Sequence, residues 1–312
     1  MNIYTCDVSP HITDTYNSQC LDIFETQYYF VRQIGDFSAY GIVYEIKTYN
    51  TGERLALKVT ALNKYSISEL NIICNILKYI LYPQYTPCFI DIKNWFLCTS
   101  PPTTWEIKHI SPILRNAWNS TLLYFTMSLA DTTLKHLMIP ITSYDITCII
   151  FELYYALAVA RHTLKFFHED IKADNILIKT VNYERRYNIG SNTYYINSPY
   201  LPLFSDFGTS SIGVQQNIPV NTEQEYGFNL DDVLDFNDTK NLFETLVDYI
   251  NNYIDVDELF IQNIGQFNQI IALDEGVHDI RHIIESLSTP LFNILYQSQG
   301  KFTQYKNYVS LF

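Results

Sequence analysis

The chain has 312 residues, of which 47% are hydrophobic and 17% charged, so it can bury one sizeable core or two small lobes and does not read as disordered. A formal net charge of −13 argues against nucleic acid or an anionic membrane as the main partner. The six cysteines, Cys6, Cys20, Cys74, Cys88, Cys98 and Cys148, form no C-x-x-C pair, which speaks against a zinc site and a disulfide scaffold and predicts reduced thiols in an intracellular setting.

Residues 1 to 27 lack periodicity and read as an N-terminal extension, with no basic region and apolar run of the signal-peptide kind. From 28 to 60 the runs Tyr29-Phe30-Val31, Ile42-Val43-Tyr44-Glu45-Ile46 and Leu55-Ala56-Leu57-Lys58-Val59 suit strands, punctuated by Gly35, Gly41 and Asn50-Thr51-Gly52. Over 69 to 81 the period changes. Leu70, Ile73, Ile76, Leu77 and Ile80 recur as on an amphipathic helix, and Pro83 and Pro87 end it. Further strands are expected over 89 to 97 and 122 to 127, with a polar, proline-bearing loop between them around 100 to 119.

After Met127 the expected character is mostly helical. The repeat Ile146, Ile149, Ile150, Leu153, Leu157 and Leu164 fits one long buried helix, although Glu152 lies within it. Leu242, Leu246 and Ile250 mark another. Between 179 and 204, Tyr183, Tyr187, Tyr194, Tyr195 and Tyr200 suggest an extended hairpin inserted in this half. The expected organisation is an extension (1–27), a strand-rich small lobe (28–127) and a larger helical lobe (128–312) carrying the insertion 179–204. The fold class is α+β.

Two stretches carry the chemistry. His168-Glu169-Asp170-Ile171-Lys172-Ala173-Asp174-Asn175 places a carboxylate, an ammonium and a carboxamide within six residues, Asp170 to Asn175. Asp206-Phe207-Gly208 later adds a second carboxylate and a glycine. Their order and spacing resemble the catalytic loop and metal-binding triplet of eukaryotic-type Ser/Thr protein kinases. The resemblance covers roughly residues 28 to 250. It implies a two-lobed protein-kinase-like fold, ATP and Mg²⁺ as cofactors, and transfer of the γ-phosphoryl group to Ser or Thr of protein substrates. Asp170 would be the base and Lys172 would stabilise transferred charge. Asn175 and Asp206 would be metal ligands, and His168 a structural residue.

Other residues take roles by the same resemblance. Lys58 resembles the phosphate-contacting lysine, and Glu69 its partner, because Glu69 is the sole acid between Lys58 and Asp91. Their interval is shorter than the family shows, which implies a helix truncated at its start. Gly35, Gly41 and Val43 fall in the segment matching the glycine loop, though its central glycine is missing and Phe37 is bulky. Met127, Ser128 and Ala130 resemble the adenine-binding hinge, with Asp131 toward the ribose. Asp238 resembles the buried aspartate that accepts backbone hydrogen bonds from the catalytic loop, with Asp235 as a rival.

There are further departures. Glu169 replaces the arginine that reads an activation-loop phosphate in the family, and a glutamate repels one. No Ala-Pro-Glu triplet follows Asp206. Compact, divergent kinases of this kind look like those of large DNA viruses, which implies a host cytoplasm or virion. The span from Glu223 to Glu258 holds eleven acidic residues and one basic one, Lys240. It reads as a solvated face or as a docking surface for basic substrates. A small-molecule kinase of the aminoglycoside or choline type and a pseudokinase scaffold remain as alternatives.

Overall fold

A computed structural model describes residues 27–38, 41–98, 121–137, 141–189, 192–213 and 236–253. It is a mixed α+β structure whose largest sheet is antiparallel and five-stranded. Two compact units divide the chain. One takes 1–83, 90–130 and 206–210, and the other takes 84–89, 131–205 and 211–312.

In the first unit, β1 (Tyr28–Ser38), β2 (Gly41–Thr48), β3 (Arg54–Ala61), β4 (Ile92–Cys98) and β5 (Leu122–Ser128) pair in the order β1-β2-β3-β5-β4. The apolar runs of the sequence become a core of Ile42, Tyr44, Ile46, Leu55, Leu57, Val59, Phe96, Leu122 and Tyr124. Gly41 is required by packing: a Cβ there would come within 2.6 Å of the Val59 carbonyl oxygen on β3. Helix α1 (Lys64–Ile76) starts from a capping box, in which the Asn63 side chain accepts from the Tyr65 and Ser66 N–H groups and Ser66 Oγ accepts from the Asn63 N–H. It continues into a π-helical turn, Leu77–Leu81.

The helix therefore begins five residues before Glu69 (69 − 64), ahead of the start that the apolar repeat over 69 to 81 suggests. The connection from β3 is short. Cys74, on the buried face of α1, is disulfide-bonded, with a partner outside the described side chains. The expectation of reduced thiols fails there, since a disulfide needs no C-x-x-C or other short motif to announce it. Cys88 and Cys148 are free and buried.

The second unit contains α2 (Ser143–Leu164), β6 (Thr132–Thr133), β7 (Ile176–Thr180), β10 (Tyr200–Phe204) and the hairpin β8 (Arg185–Ile189) with β9 (Asn192–Ile196). Strands β10, β7 and β6 form a small sheet. Helix α3 (Phe236–Tyr253) follows. The described part of 128–312 thus holds five strands beside its two α-helices, more strand than the expected helical lobe. Each of these strands is five residues or shorter, too brief for a period to stand out.

Helix α2 is capped by a Thr142–Asp145 box and ends at Lys165, whose φ of 53° closes the last turn. It is buried on every side from Ile146 to Ala160, which explains its largely apolar run. Glu152 is tolerated because the inserted hairpin supplies its partners. Arg185 Nε and Nη2 donate to it at 2.5 and 3.1 Å, and Tyr187 Oη donates at 2.5 Å. Tyr187 also packs edge-on against Phe151 and Tyr155 of α2. The insertion is thereby fastened to the long helix.

Among the described residues no helix is long and apolar enough to cross a membrane.

Candidate active site

The first unit gathers three of the predicted residues. Lys58 lies on the central strand β3 between Leu57 and Val59, which face the apolar core. The period of two sends Lys58 to the opposite face. There Nζ donates to Glu69 Oε1 of α1 at 2.5 Å and to Asp206 Oδ1 at 2.9 Å, and it lies 5.7 Å from the centre of the Phe125 ring. Burial would push the Lys58 pKa down, but the charges of Glu69 and Asp206 outweigh it and hold it above the ordinary lysine value. Burial raises the Glu69 pKa while Lys58 opposes it, and the geometry is what defines the group: one ammonium bridging the Glu69 and Asp206 side chains.

Asp206 has a φ of 62°, in the left-handed region that residues with a Cβ avoid. Such a conformation costs on the order of 1 kcal/mol and needs support from its surroundings. Phe207, fully buried, and the bond to Lys58 provide it. Gly208 has no such requirement, since a Cβ there would make only an ordinary 3.8 Å contact.

Strand β1 runs through Gly35 to Ser38, which pairs with Gly41, so the segment matching a glycine loop is the end of a β-hairpin. Val43 pairs with Lys58 across β2 and β3. Met127 is buried at the end of β5. The Ser128 N–H donates to the Asp91 carbonyl at 3.2 Å, so of the Ser128 backbone groups expected at a nucleobase the N–H is engaged. Ala130 closes the first unit. Asp131 belongs to the second, where its Oδ2 accepts from the Thr180 N–H at 2.6 Å. That bond ties the carboxylate to the end of β7, and the expected ribose contact competes with it.

The second unit builds the loop from His168 to Asn175. Asp170 Oδ2 accepts from Lys172 Nζ at 2.6 Å and from Asn175 Nδ2 at 2.9 Å. Asn175 Nδ2 also donates to the Asp170 carbonyl at 2.9 Å. The amide nitrogen is thus engaged, which leaves the amide oxygen as the atom suited to a hard cation. Asn175 immediately precedes β7, and the Ser205 N–H donates to its carbonyl at 3.0 Å. Antiparallel pairing of β7 with β10 fixes that contact.

His168 is wholly buried. Its Nε2 donates to the Ser205 carbonyl at 3.1 Å, with Phe166 and Phe204 against its ring. Asp238, in the first turn of α3, accepts from the His168 N–H at 2.5 Å and the Glu169 N–H at 2.9 Å. The helix begins at Phe236, two residues before the expected start at Asp238, so Asp238 is no simple cap. Glu169 has a φ of 64°, a second left-handed outlier within the loop. Asp235, and most of the acidic span from Glu223 to Glu258, lie outside the described residues.

The chain matches no protein-family model and no curated protein. The chemistry of the donors is therefore the guide. Among the described residues no group of three or more His, Cys, Asp or Glu is assembled for a metal. Mg²⁺ does not need one. It is commonly held by one or two protein oxygens together with phosphate oxygens and waters. The Asn175 amide oxygen and the Asp206 carboxylate are hard donors of that kind.

Sequence reasoning missed two contributions. Phe125 gave no signal, because its register with Lys58 exists only in the sheet. Ser211, whose Oγ donates to Glu169 Oε1 at 2.6 Å, follows the Asp206 triplet without any motif.

Proposed function

We propose that the chain is an ATP-dependent protein kinase with a two-lobed kinase-like fold, transferring the γ-phosphoryl group to Ser or Thr of protein substrates. The observation that carries this reading is the double contact of Lys58 with Glu69 and Asp206. A lysine, a helix carboxylate and the aspartate of Asp-Phe-Gly are the groups such a reaction needs at the nucleotide phosphates. Glu169 and Asp206, two of the four non-glycine residues with positive φ among the described ones, add support, since backbone strain concentrates where function over-determines geometry.

In this reading Lys58 offers a fixed ammonium to phosphate oxygens. Among the described residues Asp170 Oδ1 carries no hydrogen bond, and it would accept the proton of a substrate hydroxyl. Lys172, already beside Asp170, would balance charge on the transferred group. Asn175 and Asp206 would hold Mg²⁺, which when bound neutralises phosphate charge. With the Ser128 N–H engaged, Ala130 becomes the donor expected at the adenine edge. His168 and Asp238 act through the backbone of the loop, by holding its shape.

Incubation with γ-labelled ATP, Mg²⁺, a basic protein and a panel of small alcohols tests the proposal. Label on Ser or Thr of the protein is expected. Label on an alcohol instead would move the assignment to a small-molecule kinase. Nucleotide binding without transfer would move it to a scaffold, the reading that the missing central glycine favours.

A further inference from the structure

We propose that Ser211 is a positioning residue whose hydroxyl latches to Glu169, so that the stretch after Asp206 is held without a phosphate and is released by a negative charge at residue 211. The inference concerns regulation of the proposed kinase site, and so rests on that reading for its effect on activity.

Three observations converge on this pair. Ser211 Oγ donates to Glu169 Oε1 at 2.6 Å, while Ser211 and Phe167 exchange two backbone hydrogen bonds, both at 2.9 Å. The Gly213 N–H then donates to the Leu164 carbonyl at 3.1 Å. Gly213 has to be glycine there, because a Cβ would come within 2.9 Å of Lys165 Cβ. A short antiparallel bridge therefore ties 211–213 to 164–167, backed by the Arg161 guanidinium 3.3 Å from the Phe167 ring centre.

Second, the Glu169 end is not free to wander. Its N–H is held by the buried Asp238, and its φ of 64° is fixed there. The carboxylate is thus presented toward Ser211 by a buried anchor.

Third, the chemistry has a sign. A hydroxyl donates to Glu169. A carboxylate or phosphate at 211 cannot donate and repels it. Where an arginine at 169 would be recruited by added negative charge, a glutamate is driven off.

The test uses the full chain and the variants Ser211→Ala, Ser211→Thr, Ser211→Asp and Glu169→Gln/Ser211→Asp, read by kcat, by KM for ATP, and by amide hydrogen exchange at Phe167 and Ser211. Ser211→Ala is expected to lower kcat about fivefold with KM nearly unchanged, the scale of one exposed hydrogen bond. Ser211→Thr, which keeps the hydroxyl, should stay near wild type. Ser211→Asp should lose about fiftyfold and exchange faster at both amides, since a like-charge contact is added to the lost bond. Glu169→Gln should recover much of that loss, because the introduced amide donates to the introduced carboxylate. Phosphatase-treated wild type should keep its rate.

Ser211→Asp at wild-type kcat, no recovery by Glu169→Gln, or a phosphatase-sensitive wild type would each overturn the latch. A wild type with no phosphoryl transfer would sink the kinase reading instead. The exchange rates then decide: faster exchange in Ser211→Asp but not in Ser211→Thr supports the latch, and equal exchange overturns it.

Discussion

Lys58 and Asp206 stand 148 residues apart in the chain, yet Lys58 Nζ and Asp206 Oδ1 meet at 2.9 Å while the same ammonium contacts Glu69. A buried cation between two carboxylates is expensive to assemble by chance, because each ion must give up its hydration. The arrangement supports a site in which a fixed positive charge awaits an anionic ligand.

Asp170→Ala and Asp206→Ala should each lower phosphoryl transfer by about a thousandfold or more, the scale of losing a base or a metal ligand. Asp170 is partly exposed and not a packing residue, so its variant should melt near the wild-type temperature. Activity of either variant within a few-fold of wild type would refute the assignment.

Glu69→Ala should cost more stability than Glu69→Gln. The alanine removes one of two partners from a buried ammonium, a loss of about 3 kcal/mol, whereas the amide oxygen still accepts from Lys58. Urea denaturation of both variants measures the difference. Equal midpoints would show that Lys58 does not depend on Glu69.

Asp238→Ala should destabilise by about 2 kcal/mol, because it strips the acceptor from the His168 and Glu169 N–H groups. It should also lower kcat, since the loop carrying Asp170 loses its anchor. Asp238→Asn, which keeps one acceptor oxygen, should lie between wild type and alanine. A thermal melt and an activity assay on the same preparations check both statements.

Glu45 gives a pH-dependent test that is independent of function. A hydrogen bond from Arg54, opposed by burial and joined by Arg32, holds its carboxyl below the ordinary value. Stability from a depressed carboxylate is present above its unfolded pKa and lost as pH falls through the folded one. Wild type should therefore exceed Glu45→Gln by about 1 kcal/mol at pH 7, and the gap should close as pH falls below about 4. A gap that widens toward acid would contradict the assignment of partners.

Basic Ser or Thr peptides should outperform matched acidic ones in kcat/KM at low salt. The acidic span from Glu223 to Asp235 would attract them, and screening over about 8 Å at physiological ionic strength should reduce the preference. Equal values at low salt would leave these carboxylates as a solvated face only.

Much of the framework was legible because its signals are local. Alternation in 42–46 and 55–59 marked β2 and β3, the three-and-four repeat marked α1 and α2, and the tyrosine-rich insertion proved to contain the hairpin β8–β9. The boundaries were less legible. The start of α1 is set by the Asn63–Ser66 capping box, which precedes the apolar repeat and leaves no trace in it. The short strands β6, β7 and β10 escaped because five residues or fewer carry too little pattern.

The sequence by itself determined which chemistry is present: the loop from His168 to Asn175, the Asp206-Phe207-Gly208 triplet, and an isolated lysine and glutamate at 58 and 69. It also determined the periods that make strands and helices, since these depend on neighbouring residues. Only the tertiary structure decided the pairings. It added Asp206 to the Lys58–Glu69 pair expected from the sequence, turned the Ser128 N–H to Asp91, matched Glu152 with Arg185 and set Ser211 against Glu169. Each of these joins residues far apart in the chain, and such contacts are selected by burial and charge compensation in three dimensions, which no local pattern encodes.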